Sequence, residues 1–503
     1  MTSDTPGTPG TSAPFRAPHT FVIIFFVVVL AAALTHLVPA GRFDTTTVAY
    51  VDGQGVEKTR QVLDPDSYEA VGTRGVGLFG TDGEPGLFNY PFDGLVSGDR
   101  YSAAVGVVAF LLVVGGAFGV VLRTRAIETG ILASLHRTAG AEAAVIPTMF
   151  VLFSLGGAVF GMGEEAIAFA MVIVPVLIAL GYDSIVGVLV TFGATQIGFG
   201  ASWMNPFSVG IAQGIAGVPV MSGAPLRVGA WVLFTALGLA YTMTYARRIQ
   251  KAPETSLAWE SDAFFRDDLQ EARSHEVRFG LGHALVLLVI AAAIVWVIWG
   301  VTARGYYIPE IASQFFVMGV AAGVVGVLFR LDAMTLNDVA TSFLQGARDL
   351  LGAALVVGMA KGIVLVLGGD QASQPSVLNT LLHGAGQALS GVPAAVCAWL
   401  MLVLQSVINF FVVSGSGQAA LTMPIMAPLA DIVGVTRQVA ILAFQLADGF
   451  TNLIVPTSGA LIGTLGVARL DWAVWARFQV KFQALLFLVA SILVVVAVLV
   501  GYQ

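Results

Sequence analysis

Glu164 and Glu165 stand side by side between two runs, residues 143–160 and 166–180, that hold no other ionisable side chain. A carboxylate flanked by hydrocarbon is expensive unless it is paired, wetted or protonated, so this pair points to a proton or cation site. The structural alternative is that the acids complement the positive end of the second run's dipole, worth about 0.3–1 kcal/mol. A hydroxyl cap would do that without burying charge. Asp448 interrupts residues 439–455 in the same manner, with Thr451 and Asn452 three and four positions on. That spacing puts all three on one helical face, where they can line a single cavity. Lys361, inside GMAKGIVLV, can counter a substrate carboxylate, pair with Asp370 or a hairpin acid, or run its stem toward the interface.

Two stretches repeat one another: GMGEEAIAFAMVIVPVLIALGYDSIVG from Gly161 and SGSGQAALTMPIMAPLADIVGVTRQVA from Ser414. One shift of register lays Pro175 on Pro428, Gly181 on Gly434 and Glu165 on Gln418. Each stretch then runs through a helix to a proline-containing break, Asn205-Pro206 in the first half and Pro456-Thr457-Ser458-Gly459 in the second. Irregular backbone inside a bilayer survives only where protein or a wet cavity satisfies its polar groups. Matching breaks in two halves therefore predict a binding site at which half-helix ends meet the substrate or a coupling ion. Gly161, Gly163, Gly415 and Gly417 permit tight tips, and Ser414 or Ser416 can cap the arm that follows.

The expected substrate-binding residues are Gly163, Glu164, Glu165, Asn205, Pro206, Ser414, Gly415, Ser416, Gly417, Gln418, Thr457 and Ser458. Those expected to carry charge or coupling are Glu164, Glu165, Lys361, Asp448, Thr451 and Asn452. Against this stands close packing, which alone explains many glycines in apolar helices. Gln196, Ser202, Ser208, Gln405, Ser406 and Asn409 add polar spots that suit a ligand or simply join neighbouring helices.

The elements that must position these groups are membrane helices. The chain is 57% hydrophobic and 11% charged over 503 residues, where a soluble domain is about 25% charged. Several runs approach the ~20 apolar residues that span a bilayer. A formal charge of −7 with no basic face argues against nucleic acid as a partner. His36, His283 and His383 are isolated, Cys397 is the lone cysteine, and GVGLFG at 75–80 lacks a strand–helix context. No metal site, cofactor or enzymatic activity is expected. A coupling proton or Na⁺ is the one ion anticipated.

Placing Lys and Arg on the cytoplasmic side gives a path. A disordered tail, 1–18, precedes a first transmembrane helix at 19–39, with the amino terminus inside, and an extracytoplasmic segment at 40–100, read as a small β-rich cap. Repeat 1 spans 101–248 with a re-entrant hairpin at 143–182, and a cytoplasmic linker covers 249–278. Two scaffold helices fill 279–330. Repeat 2 spans 331–503 with a re-entrant hairpin at 393–434 that enters from the opposite face, its second arm at 419–430, followed by helices at 439–455 and 479–501. The expected fold is an all-α polytopic membrane protein with inverted repeats, in a bacterial inner membrane.

The segments GMGEEAIAF, NPFSVGIAQGIAG, SGSGQAALTMPIMAPLAD and DGFTNLIVPTSG resemble the YfcC-type carriers of the ion-transporter superfamily, over nearly the whole chain from residue 19. Such proteins are called both four-carbon dicarboxylate carriers and basic amino acid antiporters. The resemblance implies an elevator-type carrier, homodimeric, whose hairpin-bearing body slides against a scaffold. Where the family pattern has Arg, this chain has Lys361, which keeps the charge but not a two-pronged carboxylate grip. The function expected is exchange of basic amino acids of the arginine and ornithine type. A four-carbon dicarboxylate carrier is the alternative, and an ion channel or non-transporting receptor is the reading from another class.

Overall fold

The computed structural model describes residues 20–51, 57–81, 83–100, 104–127, 129–130, 142–205, 208–219, 222–274, 279–306, 308–369, 371, 373–389 and 392–503. The expected tail at 1–18, Asp370 and Pro206 lie outside the described residues. Seven helical stretches among those described are long and apolar enough to cross a membrane, and the shorter apolar helices Phe21–Leu37, Ala144–Val159, Glu165–Ala179 and Ser184–Gly200 accompany them. Leu288, Val295, Ile298 and Trp299 lie exposed along one such helix, as suits a surface facing lipid rather than water.

Helix α1 (Thr20–Leu37) leads into four short strands, β1 (Ala40–Arg42), β2 (Thr45–Val51), β3 (Glu57–Leu63) and β4 (Glu69–Gly72). β1 pairs with β4 and β2 with β3, both antiparallel, so the 40–100 segment does carry β structure. Tyr68 stacks on His383 with ring centroids 3.8 Å apart, and Asn379 Nδ2 donates to the Gly41 carbonyl at 3.0 Å. These contacts seat the segment on a helix more than 300 residues later in the chain. Helix α2 (Tyr90–Val96) then precedes α3 (Val105–Arg123).

Two helix–tip–helix units come next. The first joins α4 (Glu142–Phe160) to α5 (Glu165–Ala179) and continues into α6 (Ser184–Gly200), which contains a π-helical turn at Leu189–Gly193. Asp183 caps α6 by accepting from Val186 N at 2.9 Å. Beyond the break come α7 (Val209–Ile215) and the long α8 (Ala224–Lys251). The linker holds α9 (Ala263–Ser274), and α10 (Leu281–Arg304) and α11 (Ile308–Leu328) follow and pack against each other.

Helix α12 (Leu336–Asp349) went unpredicted. Its 14 residues mix apolar and charged side chains, so it lacks the uncharged run that marks a span; a Thr335–Asp338 capping box starts it. It packs along α3, together with α11. Helices α13 (Leu351–Val366) and α14 (Val377–Leu389) precede the second unit, α15 (Ala394–Phe411) and α16 (Gly415–Ile432). Helix α17 (Arg437–Thr451), a break, α18 (Gly459–Val467) and α19 (Trp472–Leu499) complete the chain.

Three boundaries differ from expectation. The arm α16 begins at Gly415, four residues before the expected 419, because Ser414 Oγ accepts from Gly417 N and caps the helix there. Helix α17 stops at Thr451 instead of running to 455. The last helix begins at Trp472, a full two turns before the expected 479. The repeat-related helices α6 and α17 pack against each other, α6 also on α4 and α17 also on α15.

Candidate functional site

Each tip is built by local chemistry. Gly161 has a φ of 70°, and a β-carbon there would lie 2.4 Å from Asn205 Oδ1, so any larger residue would be strained and would displace the Asn205 side chain. Glu165 Oε2 accepts from Gly163 N at 2.8 Å, tying the first tip to its own backbone. In the second unit Gln418 Nε2 donates to Gln405 Oε1 at 2.7 Å and to the Gln405 carbonyl at 2.9 Å, and Gln405 Nε2 donates to Thr422 Oγ1. Glu165 and Gln418, equivalent in the repeat, thus both turn inward to brace their own unit.

The two breaks are tied down alike. Ser202 Oγ donates to the Ala158 carbonyl at 2.6 Å near the end of α4. Thr457 Oγ1 donates to the Phe410 carbonyl at 2.7 Å near the end of α15. Ser458 Oγ then accepts from Leu461 N and caps α18. Asn409 Nδ2 donates to Asn452 Oδ1 at 2.8 Å and to the Asp448 carbonyl at 3.1 Å, so the start of the second break is pinned to α15 as well.

Both tips and the second break meet around one cavity of about 260 Å³. Gly161, Gly163 and Glu164 come to it from the first tip, and Ser414, Gly415 and Ser416 from the second. Gln196 of α6 and Asn452, Thr457, Ser458 and Gly459 of the second break complete the polar wall. Lys361 enters from α13 with Val357, Ala360 and Val364 on the same face, and Val107 from α3. The amino ends of three helices, α5, α16 and α18, therefore converge there, each with backbone N–H groups and the positive end of a dipole. The walls hold one acid, Glu164, and one base, Lys361. Such a cavity can take a solute bearing both a carboxylate and a cationic group.

A family model for DcuC, the C4-dicarboxylate anaerobic carriers, matches residues 17–499. The chain belongs to this carrier family. It is 54% identical over 495 residues to a protein of Escherichia coli (strain K12) named "Putative basic amino acid antiporter YfcC", covering 97% of each chain. It is 30% identical over 509 residues to a protein of Haemophilus influenzae, covering 96% of this chain and 97% of that one. The solved YdaH transporter of Alcanivorax borkumensis aligns over 96% of this chain and 99% of its own at 17% identity, with a TM-score of 0.39, too weak a likeness to carry its architecture over.

Within this family member the remaining expected residues fall close to the cavity but not on its wall. Asp448 is fully buried one turn before Asn452, and Asn452 Nδ2 donates to its Oδ1 at 3.4 Å. Its Oδ2, the Asn409 Oδ1 and the Ser208 Oγ are buried with no hydrogen-bond partner among the described residues. Gly415 lies against this group: a β-carbon on it would come within 2.8 Å of Asp448 Oδ2. Thr451, Gly417, Gln418, Glu165 and Asn205 are absent from the wall of the cavity. Thr451 shares a helix with Asp448, but α17 ends there and only Asn452, in the break, reaches the wall.

Arg227 was not singled out by its sequence position near the start of α8. Arg227 is 1% exposed and its guanidinium donates to Gln445 Oε1, while Gln445 Nε2 donates to the carbonyls of Phe199 at 3.1 Å and Ser202 at 2.9 Å. The chain of bonds anchors the first break from behind. A lone Arg at the head of an apolar run reads as an interfacial residue, and nothing in the sequence marks its partner 218 positions on.

Proposed function

We propose that this carrier exchanges basic amino acids, with the cavity between the tips as its substrate site. The observation that supports this most is the presence of both Glu164 and Lys361 on the wall of one small cavity into which three helix amino ends also point. A substrate α-carboxylate lies against the amino ends of α16 and α18 and Lys361, and a cationic group lies toward Glu164, Gln196 and Asn452. The name borne by the Escherichia coli relative agrees with that charge pattern. Asp448, behind Asn452, is the residue we assign to coupling, as holder of a proton or a sodium ion.

In this reading the two tips are re-entrant hairpins dipping from opposite faces of a bacterial inner membrane, with the amino terminus inside. The body that carries them moves in an elevator-like cycle against α3 and α10–α13, in a homodimer. A second reading, a four-carbon dicarboxylate carrier, is favoured by the excess of positive ends: three helix amino ends and Lys361 against one acid. It requires Glu164 to be protonated while the second carboxylate is bound.

Proteoliposomes loaded with ornithine or with succinate separate the two. Uptake of labelled arginine driven by internal ornithine, without uptake of labelled succinate, is the expected result. Uptake of succinate alone would replace the first reading with the second, and current beyond a carrier's cycle rate with no counter-solute would replace both with a channel.

A further inference from the structure

A second cavity, of about 370 Å³, lies beside the linker helix α9 and α12. It shares no wall residue with the cavity at the tips, yet the same four elements run from one to the other. On α3 the stripe passes from Val107 at the tip cavity through Leu111 to Gly115 and Phe118 at the second. On α5 it passes from Glu164, at its cap, through Ile167 to Met171 and Pro175. On α18 it passes from Gly459 through Gly463 to Gly466 and Val467, and on the α12–α13 side from Val357 through Ala354 to Leu350. Steps of three and four residues keep each stripe on one helical face.

Between the cavities the stripes close on each other. Leu111 and Ile167 are fully buried, and a β-carbon on Gly463 would lie 2.5 Å from Ile167 Cδ1 and 3.0 Å from Leu111 Cδ2. The two side chains thus rest on the bare backbone of α18. At its far end the second cavity is ringed by charges of both signs. Arg123 and Arg125 pair with Asp332, and Arg469 pairs with Asp349 and lies 3.6 Å over the Phe264 ring. A mouth whose charges are already paired wets a polar solute without holding it tightly, as release requires.

We propose that the second cavity is the cytoplasmic vestibule of the transport path, and that Leu111, Ile167 and Gly463 form the constriction between it and the substrate site. This rests on the reading of the tip cavity as that site. Passage requires the body bearing α5 and α18 to slide past α3 at this level, so the size of these three residues sets the rate of release to the cytoplasm and leaves affinity to the tips.

Val467→Cys places a thiol on the vestibule wall, while the native Cys397 is fully buried. In inverted vesicles a membrane-impermeant maleimide should label Val467→Cys, and in right-side-out vesicles it should not. Labelling from the outer side alone overturns the vestibule, and this arm needs no substrate. For the constriction, Gly463→Val should slow exchange of labelled arginine, or of succinate if that is the solute carried, by about tenfold, with affinity unchanged. Should that variant fail to fold, Leu111→Ala with Ile167→Ala opens the same point and should raise uncoupled efflux by about tenfold. Flux at the wild-type rate in a folded variant of either kind overturns the constriction. Failure of the substrate site itself appears separately, as wild-type exchange and affinity in Glu164→Gln.

Discussion

Gly449 of α17 lies directly on Gly200 of α6: a β-carbon on Gly449 would come within 2.3 Å of the Gly200 Cα. The two repeat-related helices touch backbone to backbone at the ends that lead into their breaks. Close approach of this kind replaces the hydrophobic driving force that helices lack in lipid.

Gly449→Ala should therefore cost about 1–3 kcal/mol, since a methyl group must push two helix backbones apart. The check is the melting temperature of the purified protein in detergent. Gly229→Ala, in α8, is the control, because a β-carbon there meets nothing within 4 Å. Equal melting temperatures for the two variants would refute the contact.

Glu164 and Glu165 should separate in function. Glu164 lines the cavity, whereas Glu165 accepts the Gly163 N–H. Glu164→Gln should lower exchange by about a hundredfold with normal folding, in keeping with loss of a charged hydrogen-bond partner worth about 1.5–3 kcal/mol. Glu165→Gln keeps an acceptor for Gly163 and should retain most of the flux, while Glu165→Ala should lower the melting temperature. Initial exchange rates in proteoliposomes, paired with melting curves, decide it; the reverse ranking would assign the ligand to Glu165.

Lys361→Met should raise the apparent KM for the carboxylate-bearing solute by about tenfold or more, as removal of one charge-assisted contact predicts. Lys361→Arg should restore much of it. An unchanged KM in Lys361→Met would remove Lys361 from the substrate site.

Asp262, in the segment between α8 and α9, accepts from Ser184 N at 3.0 Å and so docks that segment on the start of α6. Burial raises its carboxyl from 3.8 to about 6. The folded chain thus binds this proton more tightly than the unfolded one. Its contribution to stability is fully present below about pH 4 and is lost as pH rises through about 6. Asp262→Asn, which keeps an acceptor, should melt at a higher temperature than the parent at neutral pH and at a similar one near pH 4. A gap of equal size at both pH values would sink the assignment.

Much of the arrangement is legible in the chain alone. Uncharged runs define the spans, because hydrocarbon tolerates no unpaired polar backbone. The doubled pattern of glycine tip, apolar arm and proline break marks both units and both breaks within a few residues. Helix α12 escaped because an amphipathic helix has neither the run nor the charge density that gives a clear signal. The start of α16 was misplaced because SGSG reads as a flexible tip, whereas the Ser414 cap lets helix begin at Gly415. Arg227 was invisible because its partner lies on another helix.

The sequence by itself determined that this is a polytopic membrane carrier with two matching broken units, since spacing and polarity are local properties written along one strand of chain. The tertiary structure alone decided which of the marked residues share a wall. It put Glu164, Lys361 and Asn452 together and turned Glu165 and Gln418 inward to brace their own units. The physical reason is that neighbouring side chains on a helix differ in direction by about 100° per residue, so only the packing of helices far apart in sequence selects which of two adjacent acids faces the solute.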